Sequence, residues 1–280
     1  MEEKTTGSTI MAALSTLTPP QISSLTTTIS ALFHLHHRRL SSLLSSRTLF
    51  SLSLHHLHTL SLNQKSLLIA RHLLSILSHL SHFLHPKTPG SPPNNTSMVN
   101  VNHRDLDSVL LLLLLCELHQ HDPESLKTLS PEKWRESLSG YVSTTMLTLS
   151  GIGFSDSETL RKYVEVVTRC RKFVEVMGGG GDGKEGREVA ASVAAVVALP
   201  SVEVEQGGKE CAVCKEEMRE GRDVCELPCE HRFHWMCILP WLIKRNTCPC
   251  CRHQLPTDDV YGELERQWAV LVKISDGYNY

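Results

Sequence analysis

Carboxylates are missing from a long stretch near the start of this chain. Between Lys4 and Arg104 there is no Asp or Glu, while that stretch holds eight Lys or Arg residues and eleven of the sixteen histidines. The balance turns acidic from Asp105, so the formal net charge of -2 averages two unlike regions. The basic residues are scattered without interleaved aromatics, and no nucleic-acid partner is expected. Aromatics are scarce too, at 5% against 41% hydrophobic. Leu, Val and Ala must therefore build any core, which favours helices. The longest apolar run, Val109 to Cys116, falls far short of the ~20 residues of a membrane span, so no transmembrane segment is expected. The opening Met1-Glu2-Glu3-Lys4 is acidic with no long apolar stretch behind it, unlike a secretory leader. A length of 280 residues suits one medium domain or two smaller ones.

What is present is mostly helical periodicity. Ile22, Leu25, Ile29, Leu32, Phe33, Leu40, Leu43 and Leu44 follow Pro19-Pro20 at helix spacing. Residues 49–62 read as one short helix. Gln64 to about His85 reads as another, ended by the Pro/Asn/Ser/Gly stretch from Pro86 to Asn95. Asp105 is the expected N-cap of a helix whose Leu110–Leu115 interior is apolar all round, which suits the centre of a bundle. Ser130-Pro131-Glu132 supplies a cap, an N1 proline and a first-turn acid. A helix from near Asp156 carries Leu160, Tyr163, Val164, Val167, Phe173, Val174 and Met177, until Gly178-Gly179-Gly180-Gly181-Asp182-Gly183 breaks the pattern. Glu188 to Leu199 is an Ala/Val segment expected to be helical. Thr257-Asp258-Asp259 opens a last helix, with Val260, Leu264, Trp268, Leu271 and Val272 on one face.

The expected fold is mainly α. An all-helical N-terminal bundle covers 1–177 with a Pro/Asn-rich loop near 86–100, followed by a glycine-rich linker at 178–187. A short Ala/Val helix and lead-in at 188–208 precede a small α+β metal domain at 209–254 and a C-terminal helix and tail at 255–280.

Eight of the ten cysteines lie between Cys211 and Cys251, with Cys116 and Cys170 alone in helical patterns. Cys211, Cys214, Cys229, His231, His234, Cys237, Cys248 and Cys251 form four spaced pairs: C-x2-C, C-x-H, H-x2-C and C-x2-C. A C-x2-C turn offers two thiolates to adjacent corners of a tetrahedral ion, so eight donors make two closed sites. Closed sites leave no position for water or substrate, and the two zinc ions they imply are structural. A segment this short cannot be held by its core alone; a structural zinc contributes ~10–16 kcal/mol in small peptides. Cys225 and Cys250 are spare, and the C-x2-C spacing from Cys248 favours Cys251 over Cys250.

The order of three Cys, two His and three Cys resembles the RING-H2 domain. That resemblance implies a cross-brace, with Cys211, Cys214, His234 and Cys237 on one zinc and Cys229, His231, Cys248 and Cys251 on the other. It also implies a groove for a ubiquitin-conjugating enzyme formed by Val213, Trp241 and Pro249, and a linchpin toward ubiquitin at Arg252. Val213 and Trp241 have a plainer reading as core of a small domain, although Ile238 and Leu242 are available to fill it. On this resemblance the chain is a RING-type ubiquitin ligase acting on an unknown protein substrate, and it needs no catalytic residue of its own. A non-catalytic zinc adaptor is the other reading.

Thr9–Leu17, Glu188–Leu199 and Leu255–Val260 further resemble amyloplast-associated plant ligases of this class, which implies work at amyloplasts in gravity sensing, from the cytosolic side. The acid-free helical region would then meet an organelle-surface partner. Its His36-His37 and His55-His56-His58 clusters have no Cys or carboxylate beside them and read as solvated helix faces.

Overall fold

The structure, a computed structural model, describes residues 5–84, 102–124, 130–146, 156–178, 188–204, 210–218 and 223–277. The Pro/Asn-rich loop near 86–100 and the glycine linker beyond Gly178 lie outside the described residues. The chain groups into a helical unit reaching Gly181 and a second unit from Asp182 to Val270, with Leu271 onward grouped with the first.

The helical unit holds α1 (Thr6–Ser15), α2 (Pro19–Ser45), α3 (Arg47–Thr59), α4 (Leu62–Leu84), α5 (His103–His121), α6 (Pro131–Met146) and α7 (Asp156–Gly178). Without carboxylates, the first helices cap with amides and hydroxyls. The Gln21 Oε1 accepts from the Thr18 N–H at 2.8 Å as Pro19 opens α2. At α4 the Gln64 Oε1 accepts from the Ser61 N–H at 2.8 Å and Ser61 Oγ accepts from the Gln64 N–H at 3.3 Å, a reciprocal box built on Gln in place of Glu.

Helix α4 packs along α7; Ile69, Ile76, Leu77 and Leu80 of the one and Tyr163, Val167 and Cys170 of the other are buried, and the Tyr163 hydroxyl donates to the Ile76 carbonyl at 3.2 Å. A second cluster joins Leu43 and Leu44 of α2, Phe50, Leu54 and Leu57 of α3, Leu111 and Leu114 of α5 and Leu138 of α6. Each fully buried Leu contributes about 1.5–3 kcal/mol. By length and composition α4 is apolar enough to cross a membrane, but half of that stretch is buried inside the protein, as a core helix would be.

Three expectations are corrected here. Asn102, not Asp105, occupies the N-cap of α5, and Asp105 sits in its first turn, where a carboxylate is still favoured by the helix dipole. Helix α5 is not enclosed all round, since Leu112, Leu113 and Leu115 are only half-buried. His36 is not solvated: it is buried with its ring centroid 5.2 Å from that of buried His72. Arg39 of α2 also reaches across to Asp107 of α5, Nε to Oδ1 at 2.9 Å and Nη2 to Oδ2 at 2.5 Å.

Residues 188–192 of the second unit are not helical and lead into the single turn α8 (Val193–Val197), with Ser192 extended as its N-cap. The Ala/Val segment is thus helical only in part. Its first residues spend their backbone groups elsewhere: the Ala191 N–H on Leu242 O (2.9 Å), the Val189 carbonyl on the Asn246 N–H (2.7 Å) and the Ser192 N–H on Pro256 O (2.8 Å). Strands β1 (Ser201–Val202), β2 (Val224–Glu226) and β3 (Arg232–His234) form an antiparallel sheet in that order, with Ser201 opposite Cys225 and Val224 opposite His234. Helix α9 (Trp235–Leu242) follows β3 directly, and α10 (Val260–Ser275) closes the fold. Phe233, Ile238, Leu242, Val224 and Leu255 form the small core. Asp259 caps α10 through the Gly262 N–H at 2.8 Å. A Cβ at Gly262 would be tight there, 3.2 Å from Asp259 Oδ1.

Candidate metal centres and docking face

The two C-x2-C segments fold the same way. In the first, the Cys211 N–H donates to Glu216 O (2.9 Å), the Lys215 N–H donates to Cys211 O (2.8 Å), and Glu210 bridges Glu217. In the second, the Cys248 N–H donates to His253 O (2.8 Å), the Arg252 N–H donates to Cys248 O (3.0 Å), and Thr247 bridges Gln254. Lys215 and Arg252 occupy equivalent places, each just after its second cysteine, with φ of 62° and 61°. Glu230, just after Cys229, has φ 63°. A left-handed backbone costs a non-glycine residue about 1–2 kcal/mol, so three such residues following three cysteines mark strain imposed by the turns that carry the donors.

Cys229 and His231 stand in the turn closed by the Leu227 N–H on His231 O (3.0 Å). His234 ends β3, and Cys237 lies in the first turn of α9. The result is two interleaved sets, Cys211 with Cys214, His234 and Cys237, and Cys229 with His231, Cys248 and Cys251. Within each set all ligand atoms lie within 4.8 Å of one another. Tetrahedral zinc with sulfur ligands at about 2.3 Å requires donors roughly 3.8 Å apart. His234 Nδ1 meets this, at 3.4 Å from Cys214 Sγ and 4.0 Å from Cys237 Sγ, and His231 Nδ1 is buried with no hydrogen-bond partner. Sets of three sulfurs and one nitrogen with every corner taken fit structural zinc, and the protein's cofactors are two structural Zn2+ ions.

The thiols carry the matching electrostatic signature. Burial, followed by the facing thiols of the same set, pushes Cys229 and Cys237 up to about 12. Cys211 is buried too, yet N–H groups of Cys214, His234 and Val213 outweigh that and bring it below the usual thiol range. Cys251 is lowered against its burial by the His253 N–H and the thiols of Cys229 and Cys248. Four thiols and imidazoles so close need a cation between them before all can serve as anions. Of the spare cysteines, Cys225 is buried in β2 and Cys250 is exposed.

The remaining singled-out residues lie around these turns. Val213, in the first knuckle, is 43% exposed, and Pro249 in the second is half-buried. Trp241 is half-buried near the end of α9, and its Nε1–H donates to Thr247 O at 2.7 Å, tying α9 to the second knuckle. Ile238 and Leu242 are fully buried and fill the core beneath. Arg252 is exposed on its left-handed turn. Sequence reasoning passed over Ile243, 71% exposed beside Trp241, and Arg245, whose guanidinium carbon lies 4.8 Å from the Trp241 ring centroid. A cation four residues after a Trp in a helical stretch is the signal that marks the second.

The fold and donor sets define a RING-type zinc domain, and the family model described as Ring finger domain matches residues 209–252. Over 288 aligned residues the chain is 50% identical to the E3 ubiquitin-protein ligase SGR9, amyloplastic, of Arabidopsis thaliana, covering 99% of both chains. Shorter matches include the E3 ubiquitin-protein ligase RNF181 of Xenopus laevis (51% over 84 residues, 28% of this chain and 54% of that one) and the RNF181 homolog of Drosophila melanogaster (52% over 81 residues, 27% and 55%). The chain belongs to the family of RING-type E3 ubiquitin-protein ligases that includes SGR9. It is a ubiquitin transferase whose partners are a ubiquitin-conjugating enzyme and ubiquitin. The full-length match to a protein named as amyloplastic supports plastid association.

Proposed function

We propose that this ligase acts at the amyloplast surface, facing the cytosol, and that the helical unit, with its stretch free of carboxylates between Lys4 and Arg104, supplies the organelle or substrate contact for gravity sensing. Residues 1–177 would serve as that recognition domain, residues 188–208 as the lead-in, 209–254 as the catalytic RING, and 255–280 as its C-terminal helix and tail. Cys211, Cys214, His234 and Cys237 would hold one zinc, and Cys229, His231, Cys248 and Cys251 the other. The ions supply only fixed geometry. Val213, Trp241 and Pro249 dock the conjugating enzyme. Arg252 contacts ubiquitin and holds the thioester in a reactive orientation, for which a planar guanidinium with several donors is suited. A substrate lysine amine then attacks the thioester carbonyl, an isopeptide bond forms, and the conjugating enzyme's cysteine leaves as thiolate. The ligase lowers the barrier by orientation, without a nucleophile of its own.

The observation that carries this reading is the state of Trp241. Its N–H is pinned to Thr247 O, and the half-buried ring packs against a core that Ile238 and Leu242 already fill, so that part of the indole stays open to a partner. In a ubiquitin-discharge assay, Trp241→Ala is expected to lose ligase activity with both zincs retained; zinc loss would make Trp241 a core residue instead. Arg252→Ala should keep conjugating-enzyme binding but slow discharge, and an unchanged discharge rate would remove its linchpin role. For the address, protease treatment of intact amyloplasts should digest the chain without detergent; protection would place it inside.

A further inference from the structure

An ion pair links the segment before the RING to the proposed docking face. Glu188 Oε1 accepts from both Nε and Nη2 of Arg245, the former at 2.8 Å. The Arg245 guanidinium carbon lies over the Trp241 ring, 4.8 Å from its centroid, while the in-plane N–H bond of the indole goes to Thr247 O. The loop that carries Arg245 is itself held by the lead-in and the stretch after the last cysteine. Asn246 N–H donates to Val189 O at 2.7 Å, Asn246 Nδ2 donates to Leu255 O at 2.9 Å, and Leu255 N–H donates to Asn246 O at 2.6 Å.

We propose that Arg245 is a positioning residue for the docking groove: anchored by Glu188, it covers one face of the Trp241 indole and fixes the ring for the conjugating enzyme. This rests on the reading of Trp241 as a groove residue. The chemistry is consistent at each link. A guanidinium stacks on an indole more readily than an ammonium does, and its fork lets one carboxylate hold it in plane over the ring. An exposed ion pair adds little stability by itself, so the pair's effect falls on ring orientation and hence on affinity. Groove competence would then depend on residues 188–192, upstream of the first zinc ligand.

The test uses the full zinc-loaded chain and a conjugating enzyme charged with ubiquitin, with discharge rate followed against conjugating-enzyme concentration. Glu188→Ala and Arg245→Ala are each expected to raise the half-saturating concentration about three- to fivefold. The rate at saturation should stay within about twofold, with two zincs per chain retained. Glu188→Asp should recover most of the loss, and the double variant should be no worse than Arg245→Ala alone. Effects of the two substitutions that multiply, a loss confined to the saturated rate, or unchanged half-saturation would overturn the proposal. Trp241→Ala, measured in parallel, separates the two readings. If it leaves conjugating-enzyme affinity intact, the groove assignment itself fails; if it weakens affinity while Glu188→Ala and Arg245→Ala do not, only the positioning role fails.

Discussion

In the helical unit Leu43, Ile69, Ile76, Leu77 and Leu111 are all at most 1% exposed, and no cluster of three or more metal-ligating side chains is found there among the described residues. In the RING unit a buried cluster around Phe233, Ile238 and Leu242 is interleaved with cysteines, and eight donor side chains converge beside it in two sets. The first region is held by surface removed from water, the second by coordination. The difference teaches where each can be broken. Metal removal should unmake one and leave the other, whereas core truncation or acid should strike the first.

The largest effect is expected from chelation. Removing zinc, or substituting Cys248→Ser, should abolish ubiquitin discharge, while the far-UV circular dichroism of the helical unit persists; ligase activity surviving both would sink the zinc-dependent mechanism. Next comes Leu111→Ala, which should cost the helical unit about 2–5 kcal/mol by leaving a cavity. Two zincs should remain bound, and loss of zinc in thermal-melt samples below the transition would show the two regions to be one cooperative unit.

Acid should act through the buried imidazoles. Burial first, then the neighbouring imidazole, pushes His36 down to about 4 (neighbour His79) and His72 down to about 3 (neighbour His36). Below an unfolded value of ~6.5 the unfolded chain takes up protons that these folded histidines refuse, so stability present above that pH is lost as pH falls toward the folded values. Near pH 5 the loss is about 2 kcal/mol per histidine. The Tm of the helical transition should drop between pH 7 and 5 in the wild type and less in His36→Leu/His72→Leu; an equal slope in both would assign the effect to other groups. The smallest expected effect is at Lys215. Replacing this left-handed residue by glycine relieves about 1–2 kcal/mol of strain and gives back about 0.5–1 in unfolded-state entropy. Zinc retention against a competing chelator should then be equal or slightly better, and a marked loss would mean that the Lys215 side chain itself supports the knuckle.

The helices of the first unit were readable because their apolar residues recur at the spacing of one buried face, and Pro19, Pro86 and Pro131 punctuate them. Their pairing was not readable. Nothing in the periodicity says that α4 lies along α7, or that His36 turns inward against His72, because a histidine at an interior position reads the same as one on a wet face until its neighbours are placed. The Ala/Val lead-in shows the opposite error: residues 188–192, with helix-forming Glu188, Ala190 and Ala191 among them, are not helical, because the backbone groups there are claimed by Leu242, Asn246 and Pro256. Arg245 went unseen for a similar reason, since its anchor, Glu188, lies 57 residues away.

By itself the sequence determined the donor chemistry and the class of protein. Ligand type and spacing are local properties, and a C-x2-C turn admits few geometries wherever it occurs. Only the tertiary structure decided which donor pairs converge, what lies over the Trp241 ring, and which histidines lose their water. Those depend on contacts between distant segments, and in a chain with no carboxylate between Lys4 and Arg104, charge complementarity offers little to announce them in advance.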